Sequence, residues 1–393
     1  MTTTVFAAPR DPLAANPTVA FLAPRNDQYR IHIIDASVGS NVQEDLHLSR
    51  NDLGKISRDL LQRWQEEIGR ESSDSYALQR SLHQSQNDLE NQLVEFASAG
   101  NRALREILKG FDSGQVTGSY FASLLAKLLS RDAPEMSLAV ISDLSPPLPW
   151  RMLYADPDAF DREITFDESP ANIKPNGFFG LAGMIGEAPG SIPGQAAAGT
   201  TVPIGVYQGM RTSAGGVQDV QAIFAGNNGF EVLDAMNKKD LRRYLRGDSA
   251  ALIYLFCHGK FRPVTGGEPM QLLAIQRNEE FSAGYLQLKQ LTTQPIAFIN
   301  ACQGGVYGGT YDDDFVTELS KNGASGTLAP LVDMPVRFGG PFGTAVLHML
   351  ADGSTLAEAC LEASRKMYRE QNNLLGLAYS STNGFSSRLS QRR

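Results

Sequence analysis

The sequence predicts an α/β fold built on a mainly parallel six-stranded sheet, and three observations lead to that prediction. Two apolar runs, at residues 251–257 and 295–301, have the length and composition of strands buried on both faces. Helical patterns alternate with strand patterns through the second half of the chain, which is typical of parallel sheets with right-handed crossovers. A more polar, mainly helical part precedes them. Residues 1–135 are therefore expected to form an accessory region and residues 136–393 the main domain.

The accessory region is expected to contain a β-hairpin and a helical hairpin. Apolar runs at residues 18–23 and 29–35 flank a Pro-Arg-Asn-Asp turn signal, so this hairpin can extend the edge of the main sheet. Apolar residues then recur at helical spacing in two stripes, with Ser49 placed to cap the first helix. The stripes are Leu53, Ile56, Leu60, Trp64 and Ile68, and then Leu78, Leu82, Leu89, Leu93, Phe96, Leu104 and Ile107.

The main domain follows a short helix predicted at residues 120–129. Its six predicted strands are residues 137–143, 202–207, 230–233, 251–257, 295–301 and 326–332. Its predicted helices are residues 217–225, 234–246, 315–321, 342–351 and 355–368. Residues 172–200 are rich in Gly, Pro and Ala and are predicted to be a long loop. They contain no phosphate-binding glycine motif, so no nucleotide cofactor is expected.

Composition excludes several classes of function. The 393 residues are 42% apolar and 20% charged, which predicts a globular protein with a large core. The net charge of −8 and the absence of a Lys/Arg block argue against direct binding to nucleic acid or to an anionic membrane. Cys257, Cys302 and Cys360 lack disulfide or metal spacing, so a reducing compartment and no metal are expected. No leader pattern or long apolar run occurs, which predicts a cytoplasmic location.

The two most apolar strands are followed by residues that can form a catalytic pair. His258 and Gly259 follow the first strand, and Cys302 follows the second. Parallel neighbours end at one sheet edge, about 5 Å apart. A thiol is mostly protonated at neutral pH and needs a base beside it, and imidazole can accept and return the proton. The sequence therefore predicts His258 and Cys302 as the catalytic residues, with the amides of Gly259 and Cys302 as oxyanion donors.

Three motifs resemble a known family. Residues 300–304, Asn-Ala-Cys-Gln-Gly, differ only in the first residue from the caspase signature, and His258 lies 44 residues before Cys302. Residues 148–153, Leu-Pro-Trp-Arg-Met-Leu, are similar to the Leu-Pro-Trp-Glu-hydrophobic-Leu segment of CHAT domains, the bacterial caspase-like and separase-like family. Residues 256–259 resemble their His-Gly box. The chain from about Ser137 to about Tyr368 thus resembles a CHAT cysteine peptidase, with Arg151 where the family usually has Glu.

The resemblance implies a caspase-like three-layer sandwich and a cysteine endopeptidase that needs no cofactor. It also implies an activation loop directly after the nucleophile. The predicted loop residues are Gly304, Gly305, Asp312, Asp313 and Asp314. The alternative for the acidic run is an N-terminal cap on the next helix.

The segment at residues 331–340 leaves the strand that follows Cys302. In caspase-like enzymes the matching segment pairs with the substrate as an added strand. Pro335 has no N–H to donate, so the predicted substrate-binding residues are Val332, Asp333 and Met334. Asp333 either selects a basic P1 side chain or caps the turn before Pro335.

Two other functions stay open at this stage. One is a catalytically silent pseudo-protease that acts as a scaffold, and the other is a transferase or ligase that uses the same thioester chemistry. Family members that resemble this chain serve in bacterial immunity. That resemblance implies an activating protein partner and a protein substrate such as a gasdermin-like effector in antiviral defence.

Overall fold

The structure is a computed structural model that describes residues 18–25, 28–35, 40–70, 77–111, 118–129, 137–142, 148–188, 197–225, 229–262, 270–302, 314–382, 384–385 and 387–390. Within these ranges the chain forms thirteen strands and eleven α-helices. None of the helices in the same ranges combines the length and the apolar character needed to span a bilayer.

The N-terminal strands form a three-stranded antiparallel unit at one end of the sheet. β1 (Thr18–Arg25) and β2 (Gln28–Asp35) form the predicted hairpin, and β3 (Ser40–Leu46) adds a strand that the sequence pattern did not predict. β1 also pairs in parallel with β4 (Ser137–Ser142), so the hairpin extends the main sheet as expected.

The N-terminal helices match the predicted stripes, with one break. α1 (Arg50–Gly69) has Ser49 as its N-cap, and the Ser49 side chain accepts a hydrogen bond from the Asp52 amide in a capping box. The second stripe is divided between the short α2 (Ala77–Arg80) and the long α3 (Gln86–Leu108). Trp64 of α1 stacks on Phe96 of α3 with ring centroids 3.8 Å apart. α4 (Tyr120–Leu129) is the predicted short helix.

Five parallel strands form the centre of the sheet. In spatial order they are β7 (Glu231–Asp234), β6 (Thr201–Val206), β8 (Leu252–Arg262), β11 (Ile296–Ala301) and β12 (Gly326–Pro330). All residues of β6, β11 and β12 are buried, as expected for strands covered on both faces. The sequence predicted all five, although β8 does not end before His258 but continues through it to Arg262.

Within the described ranges the sheet has thirteen strands in place of the six predicted. β12 is followed by the antiparallel β13 (Tyr379–Thr382), which leads through β5 (Met184–Ala188) to β4. On the other side, β9 (Met270–Ala274) and β10 (Glu280–Phe281) extend the second half of β8. The prediction of a continuous loop at residues 172–200 is wrong, because α5 (Phe179–Ala182) and β5 lie within it.

Helices cover both faces of the central sheet. One face carries α6 (Val217–Ala225), α10 (Val336–Ala351) and α11 (Leu356–Gln371), and the other carries α7 (Lys238–Leu245), α8 (Ala283–Leu286) and α9 (Phe315–Lys321). Along β8, Tyr254 and Phe256 belong to the first core, whereas Leu255 and Cys257 belong to the second. The predicted mainly parallel three-layer α/β arrangement is therefore confirmed.

Candidate active site

The register of two central strands places the predicted catalytic residues side by side. β11 runs parallel to β8, and its last residue, Ala301, pairs with Cys257. Cys302 and His258 are the next residues on these neighbouring strands. Because side chains alternate between the faces of a sheet, His258 follows Phe256 and Cys302 follows Asn300 onto the α10 face. Cys257 is buried in the opposite core, as the alternation predicts.

His258 is open to solvent on one side and packed against an aromatic ring on the other. The imidazole meets the Tyr207 ring edge-on, with centroids 4.3 Å apart and planes at 71°. Tyr207 follows β6 and donates its backbone N–H to the Phe256 carbonyl at 2.8 Å. Partial burial lowers the pKa of His258, so its neutral, proton-accepting form is favoured. Sequence reasoning missed Tyr207, although it ends a predicted strand at the same sheet edge.

Cys302 is half-buried beside the segment that precedes α10. Its Sγ lies 3.7 Å from the Met334 carbonyl oxygen, which can accept the thiol proton in a weak hydrogen bond. Burial and then the negative charge of Asp333 raise the pKa of the Cys302 thiol, while hydrogen bonds to the backbone of Met334, Cys302 and Gly259 oppose that rise. No hydrogen bond joins Cys302 to His258 among the described residues, and the raised pKa of the thiol together with the lowered pKa of the imidazole favours the uncharged form of each.

Gly259 allows the two strand ends to approach each other closely. A Cβ at this position would overlap the carbonyl oxygen of Cys302, so a larger residue requires the strands to separate. The backbone of Gly259 and that of Cys302 both act on the sulfur and lower the pKa of the thiol. The two predicted oxyanion donors are therefore close to the nucleophile.

The predicted substrate segment is only partly open. Val332 and Met334 are 1% and 6% exposed and pack into the core, so only their backbone can meet a peptide. Asp333 is half-buried, and its backbone N–H donates to Gln65 Oε1 at 2.7 Å. The extended segment is also shorter than predicted, because residues 336–340 form the first turn of α10. Gln65, on α1, had no signal in the sequence that connected it to this site.

The predicted activation loop lies mostly outside the described residues. This applies to Gly304, Gly305, Asp312 and Asp313. Asp314 is buried and caps α9, where its side chain accepts a hydrogen bond from the Thr317 amide at 2.7 Å. Asp314 thus has the capping role that the sequence left as the alternative. In the ranges that the structure describes, no group of three His, Cys, Asp or Glu residues could hold a metal ion.

A buried amide connects the nucleophile strand to α10. Asn300, two residues before Cys302, donates from Nδ2 to the Gly339 carbonyl at 2.7 Å and accepts from the Tyr379 hydroxyl at 2.6 Å. The sequence showed Asn300 only as part of a motif. Its contacts depend on residues far along the chain, which no local pattern indicates.

Comparisons with known proteins identify the family of this domain. Residues 187–382 match the family model of the CHAT domain, and this part of the chain belongs to that family. The family resemblance predicted from the sequence is therefore confirmed, while residues 148–153 lie outside the matched range. A search of curated proteins found no match.

Two solved structures similar to this chain are crystal structures of the Saccharomyces cerevisiae separase–securin complex at 2.6 Å and 3.0 Å resolution. The sequence identities are 10% and 11%, and the TM-score is 0.45 for both. The matches cover 95% and 93% of this chain but 30% of the matched chain in each complex.

Proposed function

We propose that this chain is a cytoplasmic cysteine endopeptidase that cleaves a protein substrate with a His258–Cys302 pair. The observation that supports this proposal most strongly is the β8–β11 register, which brings the two residues together on one face at the carboxyl edge of the sheet. The nearby amides of Gly259 and Cys302 add the donors that acyl transfer needs. Membership of residues 187–382 in the CHAT family agrees with this function.

The reaction is acyl transfer from the peptide nitrogen to sulfur and then to water. Cys302 Sγ attacks the scissile carbonyl carbon while His258 accepts the thiol proton. The carbonyl electron pair moves to oxygen, where the Gly259 and Cys302 amides stabilise the negative charge. Collapse of this intermediate breaks the C–N bond, and His258 protonates the leaving amine. Water then hydrolyses the thioester, with His258 as the base, and restores the thiol.

Labelling by a peptide that carries an electrophilic warhead tests the proposal. The wild-type protein is expected to form one adduct, at Cys302, because pairing with the backbone of residues 332–334 would place the peptide carbonyl at that sulfur. Mass spectrometry of the digested protein locates the adduct. A probe that labels Cys257 or Cys360 as readily as Cys302 would overturn the assignment.

One observation favours the second candidate, a pseudo-protease scaffold. The pKa of Cys302 is raised, and the described residues show no hydrogen bond between its thiol and His258. A resting pair of this kind either becomes reactive only after activation or no longer catalyses a reaction. Labelling of Cys302 by the peptide probe in the presence of a binding partner, but not alone, indicates activation. Absence of labelling under both conditions indicates the scaffold.

The biological role is carried over from the family resemblance alone. An activating protein partner and a gasdermin-like substrate in bacterial antiviral defence are parts of this proposal. Co-expression with products of neighbouring genes tests both parts, since a true substrate is cut by the wild-type protein and left intact by the Cys302→Ala variant.

Gln65→Ala is expected to raise kcat/KM for peptides. Gln65 Oε1 occupies the Asp333 amide that a substrate carbonyl would use in strand pairing, so a peptide must displace it. Loss of one competing hydrogen bond, about 0.5–1.5 kcal/mol, corresponds to a gain of roughly 2- to 12-fold. Gln62→Ala is the matched control, because Gln62 is exposed on the same helix and bonds to Glu66. Equal kcat/KM values for Gln65→Ala and Gln62→Ala would contradict competition between Gln65 and the substrate for the Asp333 amide.

Asp333→Asn is expected to reduce the preference for Arg over Leu at P1. A half-buried carboxylate that faces a neutral P1 side chain lowers the transition-state stabilisation of that peptide by about 1–3 kcal/mol relative to a basic one, and a neutral amide does so less. The ratio of kcat/KM for paired peptides measures this effect. If Asp333 instead caps the turn before Pro335, the ratio stays unchanged.

The same variant has a second readout that does not depend on a substrate. The charge of Asp333 raises the pKa of Cys302, so its removal should lower that pKa and shift the pH profile of iodoacetamide labelling downward. Asp59→Asn on the exposed face of α1 is the control, for which no shift is expected.

A further inference from the structure

Asn300 lies at the junction of three elements below the candidate site. It is 2% exposed and bonds to Tyr379, at the start of β13, and to Gly339, in the first turn of α10. Its Nδ2 also lies 3.4 Å from the hydroxyl of Tyr254, which donates to the Gly215 carbonyl at 3.1 Å. Both ends of the amide are thus used, which fixes its orientation.

Two contacts connect the same strand end to the same segment. The thiol of Cys302 lies against the Met334 carbonyl, and the amide of Asn300 holds the Gly339 carbonyl. These contacts lie on either side of the point at which the extended segment passes into α10 at Val336. The distance between the sulfur and the backbone of Asp333 therefore depends on how firmly Asn300 holds the start of the helix.

Glycines on α10 allow the helix to rest directly on this amide. A Cβ at Gly339 would lie 3.1 Å from Asn300 Oδ1. A Cβ at Gly343 would lie 2.9 Å from Asn300 Nδ2 and 2.7 Å from the Tyr254 hydroxyl. Both approaches are tighter than ordinary carbon contacts, so Asn300 and Tyr254 set the height of the helix above the strands.

We propose that Asn300 is a positioning residue that sets the substrate-binding segment at residues 332–334 at the correct distance from Cys302. This inference rests on the proposed peptidase function. Asn300 does not touch the reacting atoms. It acts through α10, so its removal should impair peptide alignment and leave the intrinsic reactivity of the thiol intact.

The test compares two electrophiles on Asn300→Leu, which keeps a similar volume and removes the amide without adding charge. Iodoacetamide reports the thiol alone, whereas a peptide with an electrophilic warhead also needs the segment at residues 332–334. We expect peptide labelling of Cys302 to slow by about 10- to 100-fold, the scale of a misplacement near 1 Å, with iodoacetamide labelling unchanged.

Two further variants test whether the effect depends on the position of α10. Tyr379→Phe removes the hydroxyl that donates to Asn300 Oδ1 but leaves the bond to Gly339, so peptide labelling should slow less than in Asn300→Leu while iodoacetamide labelling stays unchanged. Gly343→Ala retains every polar group and pushes α10 away from Asn300. It should reproduce the selective loss of peptide labelling, and it replaces Asn300→Leu if that protein does not fold.

The outcomes separate this inference from the proposed function. Parallel loss of both labelling reactions, or no change in either for a folded variant, would overturn the positioning role of Asn300. If wild-type Cys302 reacts with iodoacetamide but with no peptide probe, even beside a partner, the proposed peptidase function fails and the inference fails with it.

Discussion

Cys302→Ala and His258→Ala are each expected to abolish peptide cleavage, with losses on the order of 10⁴-fold or more, because the thiol and its base act as one unit. Without the sulfur no thioester can form. Without the imidazole, a thiol whose pKa is already raised by burial and by Asp333 has no group beside it to take the proton. Cleavage of a mixed peptide library, read by mass spectrometry, measures the loss for each variant.

Cys257→Ser is the matched control for this experiment. Cys257 precedes His258 directly but lies buried in the opposite core, where burial raises the pKa of its thiol far above the usual value. A side chain buried there cannot reach a substrate, so the variant should retain activity if it folds. Cleavage that persists in Cys302→Ala, or that is lost only in Cys257→Ser, would contradict the assignment of the nucleophile.

The sequence was sufficient to predict the parts of the fold whose signals are local. Residues 252–257 of β8 and residues 296–299 of β11 are apolar runs because both faces of these strands are buried there, and Ser49 with Asp52 caps α1 within a single turn. The same logic placed His258 and Cys302 at one edge of the sheet, since parallel strands bring their carboxyl ends together.

Other elements could not be predicted, because distant residues determine them. β3, with the sequence Ser-Asn-Val-Gln-Glu-Asp-Leu, has few apolar residues and becomes a strand through its pairing with β2. The bond from Asp333 to Gln65 joins residues 268 positions apart. The contacts of Asn300 with Gly339 and Tyr379 likewise become visible only when the sheet has been assembled.

Arg151 also lies in a buried setting that the sequence could not reveal. It is 6% exposed, and Nη1 donates to the Tyr379 and Gly376 carbonyls at 2.7 and 2.9 Å and contacts Cys360 Sγ at 2.7 Å. Nη2 donates to the Ser364 hydroxyl at 2.7 Å. No carboxylate in the described ranges forms an ion pair with it. Burial lowers the pKa of this guanidinium, and only neutral acceptors solvate its charge.

Arg151→Glu introduces the residue that CHAT domains usually have at this position. The variant is therefore expected to unfold or to have a much lower melting temperature. A carboxylate has no proton to donate, so it would face the carbonyl oxygens of Gly376 and Tyr379 as an unpaired buried charge. The free energy of unfolding should fall by about 3–5 kcal/mol, which is a large part of the roughly 5–15 kcal/mol by which a typical domain is stable. Thermal unfolding followed by circular dichroism measures it.

Arg102→Gln is the control for Arg151→Glu. Arg102 is 70% exposed and pairs with Glu106 on the surface of α3, so its loss should cost no more than about 1 kcal/mol. A melting temperature for Arg151→Glu equal to that of this control would show that the guanidinium does not hold these elements together. A large difference would mean that the acceptors from Cys360, Ser364, Gly376 and Tyr379 require a cation here. Arg at residue 151, where CHAT domains usually have Glu, then depends on all four of these acceptors. Glu could replace Arg151 without loss of stability only if the acceptors were replaced as well.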